Sequence, residues 1–199
     1  MNHMSYIDGT GTVVWEIDTA IVDPILKVDG NYILIAEKGR NKICLYIDNK
    51  LQYDVDDPDT VMSAELSSNG DVVVVTDKSS YRGGISVYNK SGEQIFSWAS
   101  GSDAVICADI SAASRSVAVA LLNSDVTAKT TVQLFNVNET ESYAKIEMPD
   151  TVVYELQFVG DKVNAFGDNR VTGISSSGKI VYDNDFSNVQ LTHSAIDSN

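Results

Sequence analysis

Residues 61–98 read VMSAELSSNGDVVVVTDKSSYRGGISVYNKSGEQIFSW, and the order of strand-like runs and turns in this stretch predicts the fold. Four short runs rich in Val, Ile, Ser and Tyr, at about 61–67, 71–77, 84–89 and 93–98, are typical of β-strands. Asn69-Gly70 between the first two runs predicts a type I′ hairpin, in which two residues take positive φ. The central runs are apolar at successive positions, which indicates a sheet buried on both faces.

The same pattern recurs along the chain with a period near forty residues. A turn is followed by a polar residue, two further residues and an aromatic one, and the aromatics Trp15, Tyr53 and Phe96 are 38 and 43 residues apart. A second phrase ends the preceding strand, and a third opens each unit. The aromatic phrase is Thr12-Val13-Val14-Trp15, Lys50-Leu51-Gln52-Tyr53, Glu93-Gln94-Ile95-Phe96 and Lys179-Ile180-Val181-Tyr182, with Tyr143 near the place of a degenerate copy, and the opening phrase is Ala64-Glu65-Leu66, Ala108-Asp109-Ile110 and Tyr154-Glu155-Leu156.

Four short strands per unit and a period in the low forties predict an all-β fold, a β-propeller of four-stranded antiparallel blades. An ordinary sandwich or barrel is the alternative. We expect about four complete blades plus partial blades at the termini, with Val189-Gln190-Leu191-Thr192 as the first strand of another blade. Either a fifth blade is shared between the termini, or the chain is a fragment of a larger ring. The expected units are about 5–23, 24–60, 61–104, 105–150, 151–188 and 189–199.

Residues 1–4 contain Asn2-His3-Met4, in which a second Met follows a His. This pattern is what a cloning site leaves behind. We therefore expect residues 1–4 to be a cloning remnant outside a single propeller domain or propeller fragment that covers 5–199.

Several phrases resemble known propeller repeats. Asp8-Gly9-Thr10-Gly11-Thr12-Val13-Val14-Trp15 is similar to the repeat of quinoprotein-type propellers, and Ala64-Glu65-Leu66-Ser67-Ser68-Asn69-Gly70 resembles the opening strand and turn of WD-type repeats. The chain also resembles uncharacterised propeller ectodomains of Gram-positive anaerobes, which are anchored in the membrane upstream of the propeller. This resemblance implies a location outside the cell or at its surface, and no known activity. Quinoprotein dehydrogenases are longer and commonly carry a vicinal cysteine pair, which this chain lacks, so the resemblance carries over the fold and not the catalysis.

Charge excludes several classes of partner. The chain carries 14 Lys and Arg against 28 Asp and Glu, a formal net charge of −14. An acidic surface repels phosphate backbones and anionic lipid, so nucleic acid is excluded as a partner and docking on anionic membranes is disfavoured. The sequence has no apolar run of 18 residues, so this chain does not insert into a membrane. A propeller fragment would instead expose apolar blade faces and self-associate through them.

Three carboxylates form the main candidate site. Glu65, Asp109 and Glu155 occupy equivalent places in the opening phrase, and propeller symmetry would bring them around one axis. Together they could bind a cation, with calcium favoured by an oxygen-only ligand set. Alternatively, each carboxylate pairs locally or is solvated at a strand end. The acidic turns at 54–59 and 183–187 lack the full calcium-loop pattern and are interpreted as solvated turns.

The other candidate residues show fewer features of a functional site. Cys44 and Cys107 lie in apolar runs without metal-ligand spacing, so we expect unpaired core thiols. His193 has no second histidine at ligand spacing. Trp98 and Tyr81 lie near the longer connections and are the candidate ligand contacts, with core packing at a strand end as the alternative.

The sequence therefore favours a non-enzymatic binding or scaffolding propeller that recognises a protein or cell-envelope ligand. The alternative is a lyase or hydrolase that acts on a saccharide at the propeller channel. Such an enzyme would need two carboxylates with divergent pKa values, and acidic residues are too common in this chain to identify such a pair.

Overall fold

The computed structural model describes residues 2–125 and 127–187, which form five antiparallel sheets of a β-propeller. The first sheet holds two strands, and each of the other four holds four strands. No helix occurs in the described residues, and therefore none that could span a membrane. The strands are β1 (Asn2–Ile7), β2 (Val13–Thr19), β3 (Pro24–Asp29), β4 (Tyr32–Glu37), β5 (Lys42–Ile47), β6 (Lys50–Asp56), β7 (Thr60–Leu66), β8 (Val72–Asp77), β9 (Gly84–Tyr88), β10 (Gln94–Ala99), β11 (Ala104–Ile110), β12 (Ser116–Asn123), β13 (Lys129–Asn136), β14 (Ala144–Pro149), β15 (Val153–Val159), β16 (Lys162–Gly167), β17 (Arg170–Ile174) and β18 (Ile180–Asp185).

Each sheet is one propeller blade, and the blades follow the chain order. The first blade is β1–β2, the second β3–β6, the third β7–β10, the fourth β11–β14 and the fifth β15–β18, with every strand beside its neighbour in sequence. The inner strands β3, β7, β11 and β15 lie side by side, since β7 contacts β3 and β11 contacts both β7 and β15. The propeller fold expected from the repeat is confirmed.

Apolar side chains fill the spaces between successive blades. In β8, Val72 and Val74 pack toward the second blade, whereas Val73 and Val75 pack toward the fourth. Because successive residues of a strand point to opposite faces, a run of four valines supplies both interfaces at once. This double burial explains why the central runs are apolar at every position.

The aromatic phrase marks a bulged outer strand. In four of the five blades the strand pairing shifts by one residue just before Trp15, Tyr53, Phe96 or Tyr182. A bulge of this kind bends the strand and re-aims the side chain that follows it. Trp15, Tyr53 and Phe96 each point into the core shared with the next blade.

The fourth blade lacks this bulge. Its outer strand pairs without a register shift, and Ala144 faces Leu134 at the place of the aromatic. Tyr143, the expected degenerate copy, lies one residue earlier, where its hydroxyl is 3.4 Å from Ser116 Oγ.

The type I′ turn predicted at Asn69-Gly70 is wrong. Only Gly70 has a positive φ, of 85°, and its N–H donates to Ser67 O while Ser67 N–H donates to Asp71 O. Asn69 is not among the residues at positive φ, and its side-chain oxygen accepts the Asp71 N–H at 3.1 Å. The two consecutive residues at positive φ are Asp48 and Asn49, between β5 and β6.

The chain start differs from the expectation. Strand β1 begins at Asn2, and His3 and Met4 pair with Asp18 and Ile17, so residues that were expected to lie outside the fold extend the first sheet. Their origin as a cloning remnant stays a prediction. At the other end, Val189-Gln190-Leu191-Thr192 and His193 lie outside the described residues.

Candidate functional site

One cavity of about 900 Å³ lies against the inner strands of four blades. We call it the central cavity. The second blade contributes Lys27 and Asp29, the third Glu65, the fourth Asp109, and the fifth blade a larger share of the wall. The share of the fifth blade includes Tyr154, Glu155, Leu156, Gln157, Phe158 and Gly160.

Strand pairing shows which inner-strand residues are equivalent. Lys27, Glu65, Asp109 and Gln157 each lie between two apolar residues, at the same place in the strand pairing of their blades. Propeller geometry therefore places one residue from each of four blades at the same level: a cation, two carboxylates and an amide. The flanking pairs are Leu26 and Val28, Ala64 and Leu66, Ala108 and Ile110, and Leu156 and Phe158.

The expected register of Glu155 with Glu65 and Asp109 is wrong by two residues. Glu155 pairs with Phe166, just as Cys107 pairs with Ala120, so its equivalent in the fourth blade is Cys107. The error arose because Tyr154-Glu155-Leu156 resembles the opening phrase more closely than Leu156-Gln157-Phe158 does. Glu155 still lines the same cavity, one level away from the other two carboxylates.

Glu65 is held by the neighbouring blade. Its Oε1 accepts a hydrogen bond from Lys27 Nζ at 2.7 Å, and both side chains are partly exposed. Burial raises the pKa of Glu65, the bond and charge of Lys27 oppose that rise, and the charge of Glu155 adds to it. The ion pair of Lys27 and Glu65 therefore places one ammonium group beside one carboxylate inside the cavity.

Asp109 bridges two blades. Its Oδ1 accepts the N–H of Ile110 at 2.8 Å, and its Oδ2 accepts the N–H of Phe158, in the fifth blade, at 2.6 Å. Burial raises the pKa of Asp109 to about 7, against the lowering effect of the two backbone N–H groups, and the charge of Glu65 raises it further. The pKa of the Asp109 carboxyl thus lies close to neutral pH.

These contacts limit the chemistry of the site. In residues 2–125 and 127–187 no group of three or more His, Cys, Asp and Glu side chains is arranged to hold a metal ion. The cation site predicted from Glu65, Asp109 and Glu155 stays a prediction, as do the calcium and the saccharide lyase or hydrolase. Since both oxygens of Asp109 accept backbone N–H groups, this carboxyl has little freedom to transfer protons to a substrate.

The other candidate residues lie away from the central cavity. Trp98 is half-buried in the outer strand of the third blade, with its ring 5.1 Å from that of Phe135 in the fourth. Tyr81 is exposed in the connection between β8 and β9. Neither residue lines the cavity, and their role as ligand contacts stays a prediction.

Both cysteines are unpaired thiols, as expected. Cys44 is buried between the first and second blades. Burial raises the pKa of Cys107 to about 12 and that of Cys44 to about 11, which favours the protonated thiol at neutral pH.

Lys27, Asp29 and Gln157 belong to the site and were missed from the sequence. The available signal was register: Lys27 lies in the inner strand that opens the second blade, at the place of Glu65. Pro24-Ile25-Leu26-Lys27 does not resemble the opening phrase, because the repeat conserves apolar character and not the cavity-facing side chain.

A protein-family model matches residues 1–196 of the chain. The chain belongs to a family of unknown function, DUF5711. No curated protein matches it.

Solved structures share the fold at low identity. The computationally designed Ika8 protein is 15% identical, with a TM-score of 0.66 over 92% of this chain and 55% of its own. BamB from Moraxella catarrhalis is 14% identical, with a TM-score of 0.56 over 87% of this chain and 53% of its own. Hsv2 from Kluyveromyces lactis is 13% identical, with a TM-score of 0.59 over 84% and 52%. This DUF5711 chain therefore spans about half the length of these three proteins.

Proposed function

We propose that this chain is a non-enzymatic binding module that recognises a protein or cell-envelope ligand. Cationic groups of the ligand bind at the central cavity. The main support is the convergence of equivalent residues from four blades on one cavity of about 900 Å³. Those residues are Lys27, Glu65, Asp109 and Gln157, so repeated backbone positions carry different polar groups. A set of different side chains at equivalent positions provides the specific polar contacts of a binding site.

Charge supports a cationic ligand. Asp29, Glu65, Asp109 and Glu155 line the cavity, with Lys27 as the single cation among the lining residues. The formal charge of −14 on the chain adds long-range attraction for a basic partner. Such attraction raises the association rate and favours basic over acidic partners.

Rigidity supports recognition as well. The inner strand of the fourth blade is fixed by its own sheet and by the apolar cores shared with the third and fifth blades, and Asp109 ties the fourth blade to the fifth. A site built on packed strands loses little conformational entropy on binding. We further propose a location outside the cell, supported by the resemblance to propeller ectodomains.

The experiment is a titration of the chain with hexalysine, with hexaglutamate as the opposite probe, followed by calorimetry at low and moderate salt. We expect hexalysine to bind and hexaglutamate to show no binding. Glu65→Gln should weaken hexalysine binding by several-fold, because it removes a cavity carboxylate and leaves Lys27 without its partner. Glu139→Gln, an exposed residue outside the cavity, is the matched control.

Two results would count against this function. Equal losses in both variants would show that the net charge of the chain, and not the central cavity, attracts the probe. Binding of hexaglutamate as tight as that of hexalysine would rule out a cationic ligand.

A further inference from the structure

Within the described residues, the first blade holds two strands, which correspond to the outer half of the other blades. Strand β2 carries the bulge and the aromatic Trp15 that mark the fourth strand of other blades, and β1 pairs with it as the third strand does elsewhere. Among residues 2–125 and 127–187, no strand pairs with the other edge of β1. That edge offers unpaired backbone donors and acceptors to another strand.

The inner strand of the second blade exposes apolar side chains beside this gap. Leu26 is 53% exposed and Val28 is 55% exposed. Their equivalents in the next three blades pack into the interface with the preceding blade. These equivalents are Ala64 and Leu66 in β7, Ala108 and Ile110 in β11, and Leu156 and Phe158 in β15.

The next interfaces show what covers such residues. Ala108 and Ile110 of β11 share a core with Val73 and Val75 of β8, and β11 contacts both β7 and β8. The covering unit is thus the inner pair of antiparallel strands of the preceding blade. In the part of the chain that the structure describes, Leu26 and Val28 lack that unit because no strand follows β1 in the first sheet.

We propose that Leu26, Val28 and the free edge of β1 form a strand-docking site for two antiparallel β-strands from polypeptide outside these 199 residues. The docked strands complete the first blade, pairing through their backbone with β1 and covering Leu26 and Val28 with alternate apolar side chains. This mode of recognition combines backbone hydrogen bonds with apolar pockets along a sheet edge.

Two other occupants fit less well. Residues 188–199 number twelve, whereas the shortest inner strand pair of this chain, Pro24–Glu37, already takes fourteen. In a second copy, the inner strands of the four complete blades are already paired within their own sheets. The chain spans 55% and 53% of two propellers that it matches, which is consistent with strands supplied from elsewhere.

The probe is a synthetic peptide of residues 60–77. This segment is the inner strand pair of the third blade, which covers Ala108 and Ile110 of the fourth blade. We expect it to bind the chain, and Leu26→Asp with Val28→Asp to weaken binding at least tenfold. Leu51→Asp with Val181→Asp changes residues of matching exposure on outer strands and should leave binding unchanged. Circular dichroism should show that both double variants remain folded, since all four residues are exposed.

Hydrogen exchange supplies a second measurement. Added peptide should slow amide exchange in β1, which only strand pairing at its free edge predicts. Equal binding by the Leu26/Val28 variant and its control, or unchanged exchange in β1, would overturn the proposal. A dimer of the chain that the Leu26/Val28 variant abolishes would instead assign the site to a second copy, and stronger peptide binding after truncation at Ser187 would assign it to residues 188–199.

Discussion

Asp109 Oδ2 accepts the backbone N–H of Phe158 at 2.6 Å, so a carboxyl of the fourth blade is bonded to the inner strand of the fifth. Burial raises the pKa of this carboxyl to about 7, from an ordinary value of 3.8. An acid whose pKa is raised by folding stabilises the folded state when protonated. The stabilisation is complete below about pH 4 and disappears as the pH rises through 7.

We therefore expect the free energy of unfolding of the wild type, relative to Asp109→Asn, to fall between pH 4.5 and pH 7.5. The change should be on the order of 1–2 kcal/mol, because the carboxyl keeps some contact with water. Urea unfolding at several pH values measures it. Asp161→Asn, an exposed residue in the turn between β15 and β16, should show no such difference, and a pH-independent gap between wild type and Asp109→Asn would contradict the assignment.

Lys27 controls the ionisation of Glu65. The ammonium hydrogen bond and its charge lower a pKa that burial raises, so Lys27→Met should raise the pKa of Glu65 further. A carbon-13 NMR titration of the Glu65 carboxyl measures this shift. Lys42→Met, which removes a cation bound to Asp54 on an outer strand, should leave Glu65 unchanged. A titration curve of Glu65 that is the same with and without Lys27 would show that the ion pair does not form in solution.

Two aromatic residues at the same place in the repeat should contribute differently to the free energy of unfolding. Phe96 is buried in the core between the third and fourth blades, whereas Tyr182, in the fifth blade, is 40% exposed. We expect Phe96→Ala to cost about 3–5 kcal/mol of unfolding free energy and Tyr182→Ala about 1 kcal/mol or less. Urea unfolding measures both, and equal costs would mean that the next blade contributes little to burial.

The repeat was readable because its cause is local. In blades one, three and five, a turn glycine at positive φ is followed by a bulge and then by an aromatic residue. Each of these features depends on neighbours close in sequence. Apolar runs such as Val72–Val75 record burial on both faces. The propeller fold therefore follows from the sequence.

The site was less readable because its residues meet only through the arrangement of the blades. Glu65 and Asp109 were found, since apolar neighbours flank them in a recognisable phrase. Lys27 and Gln157 share that register, yet nothing local to either residue marks it. A difference of two residues in register, as at Glu155, changes which side chains share one level of the central cavity.

Gly92 lies in a turn at positive φ and also packs against the neighbouring blade. It has a φ of 81°, and a Cβ added there would lie 2.9 Å from Cγ of Tyr53, the aromatic of the preceding blade. Gly92→Ala should therefore cost about 1–2 kcal/mol for the left-handed backbone, plus the cost of moving a buried ring. Gly101→Ala is the matched control, because a Cβ there meets no atom within 4 Å and its φ is not positive. Thermal unfolding of both variants measures the difference. A Gly92→Ala protein as stable as Gly101→Ala would show that the turn relaxes without disturbing the interface between the second and third blades.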